Sequence, residues 1–92
     1  MGLREPRKAR HFCRHQNWLF AANTPEHPNR LWFSSDEGET WDAHNWIGTG
    51  ASAITGLDSR KEGLAIATDG NHWLLGGSGP EDFYLTCLRR ER

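Results

Sequence analysis

The sequence predicts an all-β chain of two consecutive four-stranded antiparallel units, and three observations carry that reading. Short aromatic and aliphatic runs, such as Trp18–Ala22 and residues 30–35 and 64–68, recur between turns rich in glycine. Ten glycines and five tryptophans in 92 residues serve that alternation of tight turn and pleated strand. The second half then retraces the first with a period of roughly 40 residues, the length of one four-stranded unit. No segment sustains the 3.6-residue apolar period of a capped helix.

Taken in order, residues 1–10 form a basic N-terminal arm, 11–50 the first unit, and 51–92 the second unit with a basic C-terminal tail. His11–His15 alternates and makes a short strand. Trp18–Ala22 is apolar throughout, as expected of a strand buried on both faces. Residues 23–29 contain Pro25 and Pro28 and form a loop. Residues 30–35 are the third strand, a polar turn follows, and 40–46 return as the fourth. Gly48 and Gly50 then break the chain. In the second unit, 52–57 is a strand, 58–63 its turn, and 64–68 the next strand. Asp69-Gly70 marks a two-residue hairpin. Residues 72–75 and 83–88 are the last strands, joined by a turn over 76–82. Sliding the halves together sets 64–68 on 18–22, Trp73-Leu74-Leu75 on Leu31-Trp32-Phe33, and Phe83 on Trp41.

The polar turn of the first unit reads Ser34-Ser35-Asp36-Glu37-Gly38-Glu39-Thr40-Trp41. Ser and Asp side chains bond nearby backbone groups, Gly38 tolerates positive φ, and Thr40-Trp41 restart a strand. The spelling Ser-x-Asp-x-Gly-x-Thr-Trp resembles the Asp-box (BNR) repeat. That repeat sits on the turn between the third and fourth strands of β-propeller blades in sialidases, sortilin-like receptors and many carbohydrate-active enzymes. The resemblance implies a propeller-blade fold and a structural role for Ser34, Asp36, Gly38, Thr40 and Trp41, away from the mouth where such enzymes bind ligand. It identifies architecture rather than activity. The turn over 76–82 occupies the same slot without the Ser, Asp or Thr, as a degenerate box turned by glycines.

Two blades alone leave two broad apolar faces, and repeat architectures generally need three or more units. Closed cyclic symmetry covers such faces at once. Three copies give six blades, an ordinary propeller size, an arrangement similar in architecture, though not in sequence, to the small fucose lectins of fungi and bacteria. A starting Met1 and a two-blade length favour a complete unit over a fragment. A ring of four copies, or pairing with a different protein subunit, stays open.

The candidate chemistry is sparse. His11, Cys13 and His15 alternate, so a strand projects them from one face, where imidazole and thiolate suit zinc or copper. A fourth ligand is missing, and no metal is expected. Asp36 and Glu37 lack the spaced oxygens that calcium requires. The sialidases that the turn resembles need an arginine cluster, a tyrosine nucleophile with a glutamate, and an aspartic acid. Here Tyr84 is the sole tyrosine and the interior holds few arginines. No carboxylate pair stands out as a glycosidase acid and base. Ser-His-Asp and phosphate-loop spellings are absent. The chain is therefore read as no enzyme, with no cofactor. The aromatic surplus offers one binding candidate: Trp46 and Trp73, near Arg30, Asn45 and His72, would stack and hydrogen-bond a sugar.

Formal net charge is −1, with 11 basic against 12 acidic residues, but the bases crowd the ends. Arg4, Arg7, Lys8, Arg10 and Arg14 open the chain, and Arg89, Arg90 and Arg92 close it. These arms are read as solvated, and nucleic acid is not an expected partner. No apolar run reaches membrane-spanning length, no secretory signal opens the chain, and Pro6 defeats a myristoylation signal after Gly2. Two cysteines are too few for a disulfide scaffold. A cytoplasmic or virion-associated location follows. The reading is a non-catalytic structural or docking module forming an oligomeric propeller ring. Its expected partners are copies of itself and other subunits of a larger assembly such as a viral particle. The alternative is a lectin-like module binding glycans; a glycosidase ranks last.

Overall fold

Alternating and apolar segments become strands throughout the computed structural model, which describes residues 8–44, 53–68 and 71–88. The first sheet contains β1 (His11–His15), β2 (Trp18–Ala22), β3 (Leu31–Ser34) and β4 (Asp42–His44). The second contains β5 (Ile54–Arg60), β6 (Gly63–Thr68), β7 (Asn71–Gly76) and β8 (Tyr84–Leu88). Each is an antiparallel meander whose strands pair in chain order. The chain is all-β in its described residues, and no helix there is long and apolar enough to cross a membrane.

Local chemistry closes each hairpin. His15 faces Trp18 across β1 and β2, and Gln16 makes the reversal at φ 58°. Arg60 faces Gly63 across β5 and β6, leaving Lys61-Glu62 as the turn. The sequence predicts a six-residue turn over 58–63, and the structure corrects it: β5 runs on to Arg60. Asp58, Ser59 and Arg60 are turn-forming by composition, yet each finds a partner in extended backbone. The Arg60 Nε donates to Asp58 Oδ2 at 3.2 Å along one face, and Ser59 reaches across to the first sheet. Thr68 faces Asn71, so two residues join β6 to β7; Asp69 and Gly70 themselves lie outside the described residues. The proline loop is stapled at both ends. Thr24 caps it through its Oγ, which accepts from the His27 N–H at 3.1 Å, and the Ile54 N–H donates to the Pro28 carbonyl at 3.0 Å.

The two sheets pack face to face around one core. Phe20, Ala22, Leu31 and Phe33 come from the first sheet, and Ile54, Leu64, Ile66 and Leu75 from the second. Trp18, Phe20, Phe33 and Phe83 form an aromatic cluster within it, Phe33 and Phe83 meeting edge-on at 5.5 Å. The edge strands β1 and β5 lie side by side and run the same way. His15 meets Ser59 near one end, and Asn23, just past the partner of His11, bonds the Ile54 carbonyl at the other.

The registers also correct the internal alignment. Matching the hairpins sets Trp18 on Gly63 and Ala21 on Ile66, one residue away from the overlay read off the sequence. Across the next ladder, Ala21 faces Trp32 as Ile66 faces Trp73, so the two tryptophans correspond. A one-residue change in register exchanges every inward side chain for its outward neighbour. Corresponding residues thus point the same way around the stack. The front of the first sheet, with Phe20 and Phe33, lies on the back of the second, with Ile66 and Trp73. Phe83 likewise does not reproduce Trp41: it enters the common core, whereas Trp41 packs with Ala21 and Trp32 on the far face of the first sheet.

Candidate functional site: the 34–41 turn and the seam between the sheets

Every spelled residue of the first polar turn has a distinct task. Ser34 is buried at the end of β3, and its Oγ accepts from the Gly38 N–H at 2.9 Å and the Asp36 N–H at 3.3 Å. The same hydroxyl donates to Asp36 Oδ1 at 2.7 Å. Asp36 then gathers the far side of the turn. Its Oδ1 accepts from the Thr40 N–H at 3.0 Å and its Oδ2 from the Thr40 hydroxyl at 2.6 Å. Glu37 and Gly38 reverse the chain with φ of 63° and 90°. The Gly38 carbonyl accepts from the indole N–H of Trp41 at 2.9 Å, which lays the ring against Ala21 and Trp32. The intervening Ser35, Glu37 and Glu39 are exposed, and Glu37 forms an ion pair with Arg14 of β1.

Both carboxylate oxygens of Asp36 are engaged by donors within the turn. Bonds from the Thr40 hydroxyl, the Ser34 hydroxyl and the Thr40 N–H hold its pKa down from 3.8 to about 2. A depressed carboxylate pKa contributes stability that is complete above the unfolded value and lost as pH falls through the folded one. The advantage of the wild type over Asp36→Asn is therefore expected to shrink as pH drops from about 4 to about 2. Carboxyl carbon resonances should titrate with a midpoint near 2; a midpoint at or above 3.8 would remove this account of the turn.

The second turn is held more loosely. Ser78 Oγ donates to Asp82 Oδ2 at 3.2 Å, and the Asp82 N–H donates to the Gly79 carbonyl at 2.8 Å. Its glycines do the turning: Gly77 has φ 104°, and a Cβ there would sit 2.4 Å from the Asp82 carbonyl oxygen. The Trp18 indole N–H, from the other sheet, donates to the Ser78 carbonyl at 3.1 Å.

At the seam, His15 Nδ1 lies 2.8 Å from Ser59 Oγ, a pairing of β1 with β5 that sequence spacing gave no means to find. A serine beside an imidazole has the makings of a nucleophile and base. No described carboxylate orients the other ring nitrogen, however, and Asp58 beside it is paired with Arg60. The geometry fits a buried histidine whose polar atom is satisfied across two strands. Cys13 sits on the same face of β1, and burial, with Asp58 nearby, pushes its thiol pKa up, away from nucleophilic character. His11, Cys13 and His15 do share one face, as their spacing predicts. Among the described residues no three His, Cys, Asp or Glu side chains gather to hold a metal ion.

The described sugar-binding candidates, Trp73, His72 and Arg30, do not meet. Asn45 and Trp46 lie outside the described residues. Trp73 and His72 are neighbours on β7 and project to opposite faces. Trp73 borders the common core and its indole N–H donates to Thr68 Oγ1 at 3.1 Å; His72 is exposed on the outer face. Arg30 stacks its guanidinium 5.5 Å from the centre of the Trp32 ring, on the outer face of the first sheet. Of the cysteines, Cys13 is on β1 and Cys87 on β8, at opposite edges of their sheets, and both are free thiols. Compared with models of known families, with curated proteins and with solved structures, the chain finds no match.

Proposed function

We propose that this chain is a non-catalytic structural or docking module, a two-blade unit whose copies close a β-propeller ring within a larger assembly such as a virus particle. The observation that carries the reading is the front-to-back stacking of two four-stranded meanders with parallel innermost strands β1 and β5. That step is the one by which propeller blades succeed one another, and it leaves one face of each sheet pointing away from the pair. The polar turn supports a scaffold over a catalyst, because its carboxylate is committed to its own hydrogen bonds. Six blades from three copies is an ordinary propeller size. Native mass spectrometry and light scattering are expected to find a stable trimer. A well-folded monomer at micromolar concentration would overturn the ring.

A further inference from the structure

The large apolar side chains that the described residues leave exposed all stand on the two outer faces. Phe12, 58% exposed, faces outward from β1 beside Ala21. Tyr84 and Leu88, 61% and 42% exposed, alternate on β8 with the core-packed Leu85, so they face outward from the second sheet. Isolated apolar residues on a surface need no explanation; what singles these out is the place each holds in its sheet.

The correspondence between the sheets shows what each outer residue lacks. Phe12 holds the place of Leu57, which packs against the common core. Leu74 holds the place of Phe33 and Ala65 that of Phe20, both fully enclosed there. In the other direction, Ala21 and Trp32 hold the places of Ile66 and Trp73, which complete the core from the second sheet. The first sheet's outer face is thus built like the surface the second sheet already offers to the first, and the reverse also holds. One detail remains unfinished. The Trp73 indole has an acceptor in Thr68, whereas the buried Trp32 Nε1 has none among the described residues. Asn23, in the place of Thr68, instead donates its amide to the Ile54 carbonyl at 2.7 Å.

We infer that both outer faces are covered by further copies of this chain in a head-to-tail contact. The first sheet's outer face in one copy, led by Phe12 and Leu19, docks on the second sheet's outer face in the next, led by Leu74, Tyr84 and Leu88. This rests on the ring reading above and adds which surfaces meet, and that they differ. Trp32 and Trp41 are largely covered already by Ala9, Leu19, Ala43 and the Arg30 guanidinium, so Phe12 and Leu19 are what the neighbour reaches. Continuing the step that relates the sheets sets innermost strand beside innermost strand. Phe12 then lies over Gly56 and Ala67 of the next copy, a register pair small enough to admit a ring. A contact between unlike faces closes into a ring when its rotation permits.

The test compares the native mass of wild type, Phe12→Asp, Leu88→Asp, and an equal mixture of the two variants. Circular dichroism checks that each keeps its sheets, with Tyr84→Asp as the substitute if Leu88→Asp loses them. Each variant alone is expected to fall from trimer to monomer. The mixture should then form a one-to-one heterodimer, since each variant supplies the face that the other lacks. A variant that keeps the wild-type trimer would overturn the assignment of its residue to the contact while leaving the ring, and a mixture that stays monomeric would overturn the head-to-tail contact and the closed ring with it. A monomeric wild type would overturn the ring itself.

Discussion

Phe33→Ala is expected to cost about 3–5 kcal/mol, the usual range for a fully buried phenylalanine. Phe33 is 1% exposed and touches both sheets: Phe20 and Trp18 on its own side, Phe83 on the other. Removing the ring opens a cavity at the centre of the aromatic cluster, and the flanking strands cannot collapse into it without breaking ladders. A folded chain of 92 residues holds roughly 5–14 kcal/mol in total, so the variant should sit near the edge of folding. Urea titration followed by tryptophan fluorescence would read the shift, with Glu39→Ala, exposed in the polar turn, as a near-neutral control. A loss below about 1.5 kcal/mol would mean that the sheets do not share this core.

The second large effect is expected from one glycine. Gly63 opens β6 with φ 154°, and a Cβ there would stand 2.4 Å from the Leu75 carbonyl oxygen, a backbone atom in the adjoining ladder. Backbone cannot swing aside as a long side chain can. Gly63→Ala is expected to cost about 2–4 kcal/mol, from backbone strain together with overpacking. Gly56 supplies the contrast. Its added Cβ would meet only the Ala67 Cβ at 3.7 Å, an ordinary contact, and its φ is not in the left-handed region. Gly56→Ala should leave the midpoint within about 0.5 kcal/mol of wild type, provided the chain is studied as a monomer. Equal effects at the two glycines would contradict the register between β6 and β7.

These two positions show where sequence reading works and where it stops. Trp18–Ala22 was legible as a strand buried on both faces because its residues are apolar in an unbroken row, and Phe20, Ala21 and Ala22 are fully enclosed. The polar turn was legible because the bonds made by its Ser34, Asp36, Thr40 and Trp41 side chains join residues at most four apart. Phe33 is legible as part of an apolar strand, while its place in the shared core comes from the second sheet. The need for glycine at position 63 does not, because it comes from Leu75 on another strand.

Of the sugar-binding set, the described Trp73, His72 and Arg30 do not share a face, for a related reason. Trp73 and His72 are adjacent in the sequence, and adjacency on a strand separates side chains rather than uniting them. The seam between His15 and Ser59 was invisible because its partners are 44 residues apart and neither belongs to a recurring spelling.

The all-β class, the approximate places of the eight described strands, and the self-contained turn at 34–41 are all legible in the amino-acid order. These follow from side-chain alternation, turn chemistry and short-range hydrogen bonds, all of which act within a few residues. Which face of each strand turns inward, the continuation of β5 through Arg60, and the match of Trp32 with Trp73 come instead from contacts between strands and between sheets. A sheet's side-chain period is two, so the aligned halves can differ by one residue without any local sign of error. Packing between Phe33 and Phe83, and the clash that excludes a side chain at Gly63, act between distant residues and settle that choice.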